Sequence, residues 1–195
     1  MNDQLLWYTT RGSGAVSLAL LSAVVVLGVL GVRRFEAAGW PRFLTTALHN
    51  NVALIAVLFV AIHVVTAVVD PFTNLGLAAA LVPFASYYRT IWLGLGVISM
   101  YLAAAIVVTS LLRAHIGHLV WRFIHWGAYG CWALALIHTI GTGTDGTSSW
   151  LLAVQGLCVI AVAVATGARL LLPSPDPLAA DRARFRERVS REMDR

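Results

Sequence analysis

LHNNVALIAVLFVAIHVVTAV, residues 48–68, is apolar enough to lie in lipid, yet it contains His49 and His63, fourteen residues apart. An apolar run of this length reads as a helix crossing a hydrocarbon core of about 30 Å. An ionisable ring inside such a helix is costly, so two of them call for a reason. Working outward from this stretch, which lies within a run near 44–69, four more runs of spanning length stand near 13–32, 90–112, 119–141 and 149–172. The chain therefore reads as an all-α membrane protein, a bundle of five transmembrane helices within residues 1–172, followed by a basic tail at 173–195.

Composition agrees. The chain is 59% hydrophobic and 12% charged over 195 residues, with a mean hydropathy of +0.79. A soluble domain of this length needs far more polar surface. The first run ends in GVRRFE with no small-residue cleavage site before those charges, so it is expected to be a retained helix, not a secretory signal. All fourteen basic residues are arginines. Only Arg11 and Arg89 fall on one side of the five expected spans; the other twelve fall on the opposite side or in the tail. The positive-inside bias then places the N-terminus outside and the C-terminus in the cytoplasm, in an inner cell membrane. The pI near 9.9 reflects this asymmetry and anionic lipid, and nothing in the chain looks like a groove-reading element for nucleic acid.

Several motifs carry less than their letters suggest. Cys131 and Cys158 lie inside expected spans, without CxxC or CxxCH, and read as small apolar packers. GTGTDG at 141–146 matches a dinucleotide fingerprint but follows a membrane helix, with no strand and no βαβ unit around it. The loop 70–89 holds an apolar patch too short to span, which reads as an interfacial or re-entrant segment. In the tail, Phe185, Val189 and Met193 recur at four-residue spacing, as in a short helix on the inner membrane surface.

Four histidines form the constellation that carries chemistry. His49 and His63 stand in the second span, His125 and His138 in the fourth. A lone membrane histidine reads equally well as a neutral ring bonding a neighbouring helix; two matched pairs read differently. At 1.5 Å per residue the first pair is about 21 Å apart along its axis and the second about 20 Å. Both spans run from cytoplasm to outside, so His49 shares a depth with His125 and His63 with His138. Each level then offers two imidazoles across a helix gap, an axial ligand set for a haem iron. Zinc or di-iron sites want acidic or thiolate ligands clustered at one level, and these spans hold no such cluster. Two haems, one above the other, need partners for their propionates. Arg122, Arg42 and Arg113 are candidates at the inner level, Arg11 and Arg89 at the outer, and ordinary interfacial arginine is the competing reading. His115 and His118, an HxxH in the inner connection, read as solvated loop residues. Fourteen residues return His63 to within about 40° of His49, whereas thirteen leave His138 about 140° from His125. The mismatch predicts a local π-type widening or bend between residues 127 and 138.

With these residues in view, the sequence resembles the ferric reductase-like transmembrane domain family, the haem core of ferric-chelate reductases and NADPH oxidases. WYTTRGSGAVSLALL in the first helix, LHNN and AIH in the second, and WRFIHWGAYG and LIH in the fourth carry the likeness over residues 7–146. YYRTIWLGLG and GTGTD look like a small bacterial, actinobacterial branch. The resemblance implies two non-covalent, bis-histidine haem b groups, the inner on His49 and His125 and the outer on His63 and His138. It implies electron flow from a cytoplasmic or quinol donor to an extracytoplasmic acceptor such as ferric iron, a flavoprotein or a reductase. The oxidases carry a flavin- and NADPH-binding region after the bundle, where this sequence has the tail 173–195, so a separate flavoprotein or quinol is the expected donor. Many relatives also follow the first histidine with a basic residue, where this chain has Asn50. Two competing functions stay open at this point: a quinol or superoxide oxidase acting alone, and a non-redox membrane anchor subunit whose histidines only hold helices together.

Overall fold

The computed structural model describes residues 2–33, 40–71, 75–143, 148–172, 185–186 and 190, with only the backbone of Asn2, Asp3 and Arg42. Every element among them is an α-helix: α1 Asn2–Val32, α2 Arg42–Val69, α3 Leu77–Leu81, α4 Thr90–Leu111, α5 Arg113–Ile116, α6 His118–Thr142 and α7 Ser149–Leu171. Four of them hold segments long and apolar enough to cross a membrane: Gln4–Val32, Phe43–Val69, Thr90–Leu111 and Ser149–Leu171. The chain is therefore an all-helical, multi-pass membrane protein. The helix expected as the fourth span, α6, is 25 residues long but is not among those four. Arg122, three histidines, three tryptophans and three glycines dilute its apolarity. The first helix also begins well before residue 13, because no proline or glycine interrupts residues 2–11.

Helix α1 is the hub, packed along α2, α7 and α6, while α4 packs along α6. Its buried residues Ser13, Ala15, Ser17, Leu18, Ser22, Val25 and Val29 include the small side chains that let membrane helices approach closely. Two of its buried hydroxyls are satisfied inside the helix, Ser13 donating to Thr9 O at 2.6 Å and Ser22 to Leu18 O at 2.7 Å. On α7 the buried Leu151, Gln155, Cys158 and Val162 recur at intervals of four, three and four, one stripe turned to α1. The α4–α6 seam is clasped reciprocally: Ser99 Oγ donates to Cys131 O at 2.9 Å, and Cys131 Sγ to Ser99 O at 3.3 Å. Cys131 thus bonds as well as packs.

Neither α2 and α6 nor α2 and α4 pack closely against each other. A cavity of about 300 Å³ lies there, walled by α1, α2, α4 and α6. The expected outer-loop patch forms the short α3, with Tyr101 Oη donating to Leu81 O. Beyond it Phe84 and Arg89 adopt positive φ, 65° and 44°. The Phe84 ring occupies the place a side chain at Gly94 would take, and the Trp92 ring does the same at Gly141. The expected π-type widening of α6 is not found: the helix keeps α-helical bonding from His118 to Thr142. Residues 144–147 of the glycine-rich GTGTDG stretch and most of the 173–195 tail, including Val189 and Met193, lie outside the described residues.

Candidate functional site

The structure brings the four span histidines together in the two pairs expected from their depth. The rings of His49 and His125 have centroids 6.1 Å apart with planes at 56°. Those of His63 and His138 are 6.3 Å apart at 80°. Each pair takes one ring from α2 and one from α6, the helices that do not pack on each other. The His63–His138 pair opens on the 300 Å³ cavity, whose wall includes both rings.

Hydrogen bonds fix three of the four rings. His63 Nδ1 lies 2.8 Å from Thr10 O, His49 Nδ1 3.1 Å from Val24 O, and His138 Nδ1 2.8 Å from Trp92 O. A carbonyl can only accept, so Nδ1 carries the proton in each, and Nε2 of the neutral ring keeps its lone pair for a metal. Metal-ligating histidines almost always donate their other ring N–H in this way. His138 Nδ1 also lies 3.2 Å from Thr142 Oγ1. His125 differs: its Nδ1 is buried without a hydrogen-bond partner, and the Trp121 ring stacks on it at 4.9 Å and 28°.

Among the described residues no three His, Cys, Asp or Glu side chains gather as a metal group. Each level instead offers two imidazoles drawn from facing helices, and three of the four keep Nε2 free of the backbone. Two imidazoles at one level are a donor set that could hold a haem iron.

The five candidate arginines are placed unevenly. Arg11 lines the outer cavity, its guanidinium carbon 4.1 Å from the centre of the Trp7 ring. Arg89 instead donates to Gly141 O at the end of α6 and is not on the cavity wall. Arg113 lies over Trp121 at 5.5 Å, beside the inner pair. Arg122 is exposed, and the side chain of Arg42 lies outside the described residues. His115 and His118 are also exposed and join neither pair.

Sequence reasoning read Arg169 only as a topological charge. It donates to Tyr129 Oη at 2.9 Å and lies 4.5 Å from the Trp126 ring centre, one turn from His125 along α6. The available signal was Tyr129 at four residues after His125, a position on the same helix face. Asp70, fully buried at the C-cap of α2, also faces the outer cavity. No family model, curated protein or solved structure matches this chain.

Proposed function

We propose that the chain is a transmembrane electron conduit, a di-haem b subunit with His49 and His125 holding the inner haem and His63 and His138 the outer. One observation supports this reading: two imidazole pairs, each drawn from α2 and α6, have their ring centres 6.1 and 6.3 Å apart, so each pair could hold an iron between its rings. Haem iron, when bound, supplies the one-electron chemistry. The histidines bind and orient it, and the backbone carbonyls of Thr10, Val24 and Trp92 hold three of the rings with Nε2 free. Arg11 neutralises carboxylate charge at the outer cavity, and Arg113 and Arg169 are placed to do so at the inner level. On this reading α6 is a fifth span, the N-terminus is outside and the C-terminus cytoplasmic. The arginine distribution and the two ring pairs set along α6 support that topology. Electrons pass across the inner cell membrane from a separate flavoprotein or quinol to an extracytoplasmic acceptor such as ferric iron, a flavoprotein or a reductase.

The test is a reduced-minus-oxidised spectrum of purified protein with haem counted per polypeptide. Two low-spin b haems per chain are expected. Colourless protein after haem supplementation would leave a non-redox anchor subunit, and quinol turnover without any flavoprotein would favour an oxidase acting alone.

A further inference from the structure

The three carbonyls that accept from histidine share a position. Thr10, Val24 and Trp92 stand four residues before Gly14, Gly28 and Gly96 respectively. In an α-helix each such carbonyl already accepts from the N–H four residues on, which here belongs to a glycine. Helical side chains lean toward the N-terminus and cover the turn before them. A glycine four residues after a carbonyl therefore leaves it open to a second donor.

The clearances show how closely the rings use that opening. A Cβ on Gly96 would stand 2.5 Å from His138 Nδ1 and 2.7 Å from its Cε1. One on Gly14 would meet His63 Cε1 and Nδ1 at 3.0 Å, and one on Gly28 would meet His49 Cε1 at 3.4 Å. His125 lacks the arrangement. The antiparallel register that sets Gly96 against His138 and Ser99 against Cys131 carries His125 to the level of residues 105–109. No glycine stands there, and Thr109 Oγ1 already donates to Ala105 O at 2.7 Å.

We propose that Gly14 and Gly96 are positioning residues, each opening one backbone carbonyl that locks a histidine in the Nδ1–H form with Nε2 toward the gap, while Gly28 repeats the arrangement with room for a methyl. His125 is the one span histidine without such an anchor. The proposal rests on the haem reading for its consequence, but the tautomer it assigns is a property of the chain alone.

The experiment compares Gly96→Ala, Gly14→Ala and Gly28→Ala with Gly12→Ala and Gly127→Ala, whose added methyl meets nothing within 4 Å. Haem affinity is measured for each level by its own low-spin signal. Ring nitrogen tautomers are read by 15N NMR on the full chain without haem. Gly96→Ala and Gly14→Ala are expected to weaken the outer haem by about 10–100-fold, the usual cost of losing a partner of a metal-bound histidine, and to spare the inner one. Gly28→Ala is expected to weaken the inner haem least of the three, and the two control variants to match the parent chain. In the haem-free parent His49, His63 and His138 should carry the proton on Nδ1; Gly96→Ala should release His138 alone, Gly14→Ala should release His63 alone, and Gly28→Ala should leave His49 in place. Equal losses at both levels, or three rings protonated on Nε2 in the parent, would overturn the proposal. Should Gly96→Ala fail to fold, Gly14→Ala decides, since its 3.0 Å clearances crowd the His63 ring by only a few tenths of an ångström. A parent chain that binds no haem but shows the assigned tautomers would sink the electron-conduit reading and leave the anchors standing.

Discussion

The outer and inner histidine pairs have nearly the same ring spacing, 6.3 and 6.1 Å, but they are held differently. At the outer level both rings are tied to backbone carbonyls, and a walled cavity with Arg11 on its side surrounds them. At the inner level only His49 is tied; His125 is held by the face of Trp121, with Arg113 over the same indole. A stacked ring can turn about its own normal, whereas a ring with a directed hydrogen bond resists that turn. Equal spacing therefore conceals unequal stiffness, and the outer pair is the more fully preorganised site.

The largest expected effect separates the levels outright. His63→Ala or His138→Ala should remove the outer haem and lower the stoichiometry from two per chain to one, and His49→Ala or His125→Ala should do the same for the inner. Spectra resolving the two haems check this, and loss of both from any single substitution would erase the distinction. Next, titrating holo-protein with free imidazole should exchange the axial ligand at the inner level first. If the Nδ1 anchor has its usual worth, the two levels should differ by about tenfold in the imidazole concentration required. Exchange at the outer level first would reverse the comparison.

Arg11→Gln is expected to lower outer haem affinity by about tenfold or more, since a charge-assisted hydrogen bond contributes about 1.5–3 kcal/mol. Arg89→Gln, whose parent side chain bonds Gly141 O, should leave retention near that of the parent; haem loss during gel filtration distinguishes them. The smallest effect belongs to neither level. Trp132 Nε1 donates to Ser22 Oγ at 2.8 Å, joining α6 to α1. A double-mutant cycle of Trp132→Phe and Ser22→Ala should give a coupling of about 0.6 kcal/mol in unfolding measurements, the average for membrane helix hydrogen bonds.

Much of this was legible in the chain. The pairing of His49 with His125 and His63 with His138 followed from two spacings and the rise of a helix, because depth in a bundle is nearly linear in residue number. Azimuth was not legible in the same way. A π-type widening or bend in α6 was expected from a wheel of ideal angles, and the helix has no π turn between His118 and Thr142. Arg89 illustrates a second gap: its carbonyl partner at Gly141 depends on how α4 meets the end of α6, which no local pattern encodes. The anchors were hidden for another reason. Gly14 and Gly28 look like ordinary small residues at a membrane helix seam, yet they are fourteen residues apart, as are His49 and His63. Two equal intervals on helices of opposite direction were the available sign that the four positions meet.

The chain folds back twice as closely packed pairs, α1 with α2 and α4 with α6, and each ring pair takes one histidine from each. A group bound between either pair of rings is thus a rivet joining two hairpins that otherwise meet chiefly through α1 and α6. Either rivet alone suffices to join them, so a molecule with one pair filled already has its hairpins held together. Assembly of the bundle and acquisition of its cofactors would be one process, in which the second equivalent consolidates what the first has joined.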